Sequence, residues 1–115
     1  MSDCIFCRIA AGEIPAAIVA RTEHAVAFQD LNPQAPTHVL VIPTRHIGSM
    51  TETDSDDGEV AVGRTIRLAV QVAKQLGLDP NGYRLVLNTG RDGSQSVFHI
   101  HVHLLGGRRL GWPPG

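Results

Sequence analysis

The residues best suited to chemistry lie near the C-terminal end of the chain, in Phe98-His99-Ile100-His101-Val102-His103-Leu104-Leu105. Histidine takes every second place, and Ile100, Val102 and Leu104 stand between or beside the rings. Side chains on an extended strand alternate between faces. This spacing therefore predicts three imidazoles in one outward row, neighbours roughly 6.5–7 Å apart, backed by an aliphatic, core-facing side. Such a row admits three chemistries. The rings can be merely hydrogen-bonded structure, they can chelate a metal through histidines two residues apart, or one ring can attack an electrophile while its neighbours orient it and donate protons.

A second reactive group sits at the other end, where Cys4-Ile5-Phe6-Cys7 has C-x₂-C spacing. The two thiols are too close for an ordinary structural staple, and no strand–helix–strand context argues for a redox motif. Two thiolates fill only half of a tetrahedral zinc site, so histidines from elsewhere must complete any such centre. The alternative is a pair of reduced cysteines packed as small hydrophobes.

The elements that must position these groups can be read from the pattern. Residues 4–11 place Ile5, Phe6 and Ile9 at helical spacing before Gly12, which predicts a short helix. Ile18-Val19-Ala20 reads as a brief strand, and 25–30 as a second that ends on the carboxylate of Asp30. Asn32-Pro33-Gln34-Ala35-Pro36-Thr37 forces a turn. His38-Val39-Leu40-Val41-Ile42, apolar on both faces and closed by Pro43, predicts a central strand. Asp54, Asp56, Asp57 and Glu59 precede a long helix expected over 59–76, with Val62, Ile66, Ala69, Val70 and Ala73 as its apolar stripe and Gly77 as its stop. After a turn at 79–82, residues 83–88 read as a strand, and the Gly-rich run 89–96 delivers the chain to the histidines. A strand follows that run, so it is neither a Walker loop nor a dinucleotide fingerprint. Strands joined by short loops around one inserted helix predict an antiparallel α+β fold.

The 115 residues suffice for one domain, 1–115. A formal charge of −1 gives no basic footprint for nucleic acid. No apolar run reaches 18 residues, and no basic-then-apolar leader opens the chain, so a soluble, cytoplasmic protein binding neither nucleic acid nor membrane is expected.

His99-Ile100-His101-Val102-His103-Leu104-Leu105 resembles the signature of the histidine-triad (HIT) superfamily. Ala35-Pro36-Thr37-His38, Val41-Ile42-Pro43, Gly82-Tyr83-Arg84, Gly93-Ser94-Gln95-Ser96-Val97 and Trp112-Pro113-Pro114-Gly115 resemble its Hint branch, the histidine-triad nucleotide-binding proteins. Ser94 departs from that pattern, since many members carry glycine there.

The resemblance implies a HIT-like α+β fold with an antiparallel sheet of about five strands, one long helix and a short N-terminal helix. It also implies hydrolysis of purine nucleoside 5′-phosphoramidates, or related acyl-nucleotides, to the nucleoside monophosphate. His101 would be the nucleophile, oriented by the main-chain carbonyl of His99. His103 would face the phosphate or leaving atom, His38 would support the triad, and Ser96 would lie near the leaving group. Asn88, Gln95, Ser96 and Val97 would hold the phosphate side, Asp30 the ribose, and Ile5, Phe6, Ile9, Ile14, Phe28 and Leu31 the base. The resemblance further implies a homodimer. The cysteine pair resembles microbial HIT proteins, which implies a structural zinc on Cys4, Cys7, His46 and His99 and no organic cofactor. Two alternatives stand beside this reading: dinucleoside polyphosphate hydrolysis, as in the related Fhit branch, and a non-catalytic nucleotide-sensing or scaffold protein. His24 matches no family role and reads as an exposed turn residue.

Overall fold

A computed structural model describes residues 3–115. A short helix α1 (Ile5–Ala10) is followed by strands β1 (Ile18–Arg21), β2 (Ala25–Gln29) and β3 (Thr37–Pro43). A helical turn (Met50–Glu52) leads into the long helix α2 (Asp56–Gln75), then β4 (Arg84–Val86) and β5 (Val102–Gly106). The five strands form one antiparallel sheet in the order β1-β2-β3-β5-β4. β3 and β4 both run antiparallel to β5 and are therefore parallel to each other. Helix α2 carries the chain from one to the other, and β5 fills the slot left between them.

The alternation of the strands divides the sheet into two faces. Ala25 and Ala27 of β2, Val39 and Val41 of β3, and Val102 and Leu104 of β5 pack against Leu68, Ala69, Val72 and Ala73 of α2. The intervening residues Val26, Phe28, Leu40 and Ile42 meet Phe6 and Ile9 of α1 on the other side. The long helix thus closes one face, and the short helix covers only part of the other.

Helix α2 starts earlier than its apolar pattern predicts. Ser55 caps it, its hydroxyl accepting from Gly58 N–H at 3.0 Å, and Asp56, Asp57 and Glu59 occupy the positive first turn. Its buried face also differs from the expected stripe. Gly58, Thr65, Leu68, Ala69, Val72 and Ala73 are buried, whereas Val70 is exposed and Val62 and Ile66 are half-buried. Small residues let the helix lie close on Ala25 and Ala27, and Thr65 is buried with its hydroxyl bonded to Ala61 O at 2.8 Å. Gly77, at φ 75°, ends the helix as expected.

The histidine strand is shorter and more buried than the sequence predicts. Its ladder with β3 ends at the Val41–Val102 pair, so only His103 of the three lies in regular strand. Beyond it the His99 ring takes the Pro43 carbonyl and Ile100 N–H turns to Ile47 O, which removes the partners a longer ladder needs. His99 and His101 are consequently buried, at 0% and 5% exposure, rather than turned outward. Likewise β4 spans three residues instead of the expected six.

Candidate active site

The open part of the α1 face forms a cavity of about 300 Å³. Ile5, Phe6 and Ile9 of α1, Ile14 and Phe28 make it apolar, while Asp30 and Leu31 line it just after β2. Ser96, His101 and His103 supply polar groups of another segment. Thus the residues expected for the base, Asp30 for the ribose, and Ser96, His101 and His103 surround one space, whereas His38 and His99 do not line it. Pro15, Ala16, Ala17, Gln29 and Leu40 line it too, which the sequence reading missed. The first three occupy the stretch between α1 and β1, where no periodicity marks them; Leu40 lies opposite His103 in the β3–β5 register.

Asn88, Gln95 and Val97 do not line the cavity. Gln95 has its amide committed to main chain: it donates to Gly48 O at 2.7 Å and Val97 O at 3.0 Å, and accepts from Gly90 N–H at 3.0 Å. It therefore holds the loop before the histidines against the segment after β3. In that loop Ser94 takes φ 61°, a left-handed geometry that suits glycine.

The ring contacts determine which nitrogen carries each proton. His101 Nδ1 lies 2.9 Å from His99 O, and a carbonyl can only accept, so Nδ1 holds the proton and Nε2 keeps its lone pair. His38 Nδ1 accepts from Gln34 N–H at 3.0 Å, so its proton sits on Nε2, 2.9 Å from His103 Nδ1. His103 Nδ1 is then an acceptor and its own N–H is on Nε2. The two cavity-lining rings thus differ in what they offer: His101 keeps a ring lone pair, and His103 keeps an N–H donor.

Burial works against charge on His38, His99 and His103. His103 is pushed down to about 4, chiefly by desolvation, with neighbouring His101 and His38 adding to it and Asp30 opposing. Burial likewise lowers His38, against the pull of Asp30 at 3.4 Å. Desolvation lowers His99, opposed by its bond to the Pro43 carbonyl and reinforced by His46 and His101.

Beside the cavity, one ligand atom each from Cys4, Cys7, His46 and His99 lie within 4.8 Å of one another. Cys4 Sγ and Cys7 Sγ are each 3.4 Å from His99 Nδ1, and Cys7 Sγ is 3.3 Å from His46 Nδ1. The edge of a tetrahedral zinc site with bond lengths of about 2.3 Å to sulfur and about 2.0 Å to nitrogen is about 3.5 Å, so the donor set fits that ion. His99 Nε2 donates to Pro43 O at 2.9 Å, which leaves Nδ1 as the ligating nitrogen and supplies the outer hydrogen bond such ligands usually make. The one residue serves two centres: its ring faces the cluster and its carbonyl holds His101.

His24, exposed in the β1–β2 turn, contacts Glu23 at 3.0 Å and the Arg64 guanidinium, away from the site.

A family model described as HIT, the HIT domain, matches residues 11–110. The chain is 47% identical over 109 residues to the purine nucleoside phosphoramidase of Escherichia coli strain K12, covering 95% of this chain and 91% of that protein. It is 48% identical over 115 residues to a 14 kDa zinc-binding protein of Zea mays, covering 99% and 89% respectively. Among solved structures, a HIT family hydrolase from Legionella pneumophila Philadelphia 1 matches with a TM-score of 0.94 at 47% identity, covering 98% of this chain and 100% of that one.

Proposed function

Since the chain belongs to the HIT domain family, we propose that it is a hydrolase of purine nucleoside phosphoramidates acting through a nucleotidyl-His101 intermediate. The observation that carries this reading is the His99 carbonyl on His101 Nδ1, which leaves Nε2 as a neutral nucleophile in a cavity also lined by His103, Ser96 and Asp30. The name of the Escherichia coli relative supports the substrate class.

In the first step Nε2 of His101 attacks phosphorus and the P–N bond breaks, the amine leaving with a proton donated from the Ser96 side. His103 Nε2–H bonds the phosphoryl oxygens, where charge develops. In the second step water attacks phosphorus, the P–Nε2 bond breaks, the water's proton returns to the Ser96 side that gave one up, and the nucleoside monophosphate departs. The apolar residues from α1 and Phe28 take the base, and Asp30 accepts from the ribose hydroxyls. The backbone N–H groups around Ser96 and Val97, with Asn88, serve the phosphate side. Gln95 acts as scaffold.

Cys4, Cys7, His46 and His99 would hold zinc as a closed four-donor site, which gives the ion a structural part and leaves the chemistry to the histidines. The zinc-binding relative supports this. β4 ends the sheet and pairs only with β5 among the described strands, which suits a homodimer built by joining sheets; a sedimentation mass of one chain at micromolar concentration would contradict that.

The decisive experiment is steady-state kinetics on adenosine phosphoramidate and diadenosine triphosphate side by side, with acid-quench trapping of nucleotidyl-enzyme. Preference for the phosphoramidate and loss of both turnover and adduct in His101→Ala are expected. Undiminished activity in that variant ends the assignment, and a higher kcat/KM for the polyphosphate transfers it to the other branch.

A further inference from the structure

We propose that Asp30 is a positioning residue that couples recognition of the substrate's sugar hydroxyls to the hydrogen bond that His103 donates to the phosphoryl oxygens. The inference rests on the phosphoramidate reading and adds a link between two parts of the same site. Neutral His38 has one N–H. Because Nδ1 accepts from Gln34 N–H, that proton is on Nε2, where two acceptors compete for it: His103 Nδ1 at 2.9 Å and Asp30 Oδ2 at 3.4 Å. One proton cannot make a full hydrogen bond to both.

The carboxylate is half committed. Oδ1 accepts from Asn32 N–H at 2.7 Å, so Oδ2 is the oxygen with capacity for a new donor. Access differs between the partners. The Asp30 side chain is 18% exposed and lines the cavity, whereas His38 is 4% exposed and does not. A ligand in the cavity therefore reaches Asp30 directly, and reaches His38 through Asp30 or His103. When a vicinal diol donates to Oδ2, the carboxylate's claim on the His38 N–H weakens and that proton turns fully to His103 Nδ1. A stronger bond into Nδ1 draws electron density from the ring and makes the Nε2–H facing the cavity a better donor, as hydrogen bonds in chains polarise one another. A sugar lacking its hydroxyls leaves the His38 proton divided. Sugar recognition then enters the reaction step as well as binding.

The test compares adenosine 5′-phosphoramidate with its 2′,3′-dideoxy counterpart. In the wild type the dideoxy substrate should lose about tenfold in kcat, a fraction of what one hydrogen-bond donor to a developing charge contributes. In Asp30→Ala the two substrates should have kcat values within twofold of each other. A loss confined to KM in the wild type, or a kcat difference that persists in Asp30→Ala, overturns the proposal. A second readout needs no turnover: ¹⁵N-histidine spectra of the wild type with AMP and with 2′,3′-dideoxy-AMP at saturation. AMP alone should shift His103 Nδ1 toward the hydrogen-bonded range, and identical His103 shifts with both ligands overturn the coupling. Absence of any phosphoramidate turnover would instead strike the functional reading, and the spectra would still decide the coupling.

Discussion

Phe6 of α1 stands edge-on to His101, ring centroids 5.1 Å apart and planes at 79°. The same ring meets His99 at 6.0 Å and Phe28 at 5.6 Å, so the short helix abuts His101, His99 and the cavity wall through one side chain. Phe6 is 7% exposed, and Phe6→Ala should cost about 3 kcal/mol in a denaturant titration. It should also lower kcat, because His101 loses the wall that holds its orientation. A variant with wild-type turnover would show that the His99 carbonyl suffices alone.

Zinc should be measurable as stability. Purified without chelator, the wild type should contain close to one equivalent of zinc, and EDTA should lower its Tm, while Cys7→Ser should bind little zinc and show no response to EDTA. Chelated protein below its lowered Tm should still turn over, since His101 is not a donor in the cluster. Zinc below a tenth of an equivalent, with an unchanged Tm in EDTA, would refute the assignment.

Ser94 holds a left-handed φ of 61°, which carries a steric cost for any side chain. Ser94→Gly should raise stability by about 1 kcal/mol, about 4 °C in Tm for a domain of this size. Gly93→Ala should do the reverse, because a Cβ there would lie 2.6 Å from Thr89 O. Thermal unfolding of the two variants, measured together, checks both signs.

Acid should destabilise the fold through His38 and His103. Both are lowered in the folded state, His103 to about 4. As pH falls through about 6.5 the unfolded chain takes up protons that the folded rings refuse, so stability decreases as pH drops from about 6.5 towards 4. Their contribution is intact above that window. Denaturant titrations at pH 7.5 and 5.0 in a Cys7→Ser background, where acid release of metal plays no part, should show the loss, and His103→Asn should flatten it. An unchanged slope in His103→Asn would refute the attribution.

What the sequence disclosed follows from how local each signal is. The alternation in Ala25–Gln29 and the aliphatic run of Val39–Ile42 were enough to find β2 and β3, because side-chain direction on a strand is set residue by residue. Helix α2 is legible, but its expected stripe coincides with the buried face only at Ala69 and Ala73. It carries aliphatic residues nearly all round, with Val60 and Val70 exposed, and the face that wins is chosen by its fit to Ala25 and Ala27 far away in the chain. The alternation of the histidines was plain, yet their burial depended on the Pro43 and Ile47 carbonyls, which no local pattern announces. The cavity set came from likeness to a family rather than from periodicity. The parts that likeness did not supply, Pro15 to Ala17, Gln29 and Leu40, were the parts missed.

The place of β5 in the sheet has a consequence for biosynthesis. Its neighbours β3 and β4 lie at 37–43 and 84–86, so a chain emerging from the ribosome completes both flanks before residues 102–106 are available to part them. Until then β3 lacks its neighbour on one side, β4 lacks its partner in the sheet, and His101 and His103 are still being made. The helix-covered face lacks Val102 and Leu104 until that strand enters, and His101 and His103 arrive in the same stretch. A messenger truncated shortly before His101 would direct synthesis of a chain with much of its core and no chemistry, its raw sheet edges ready to recruit another molecule.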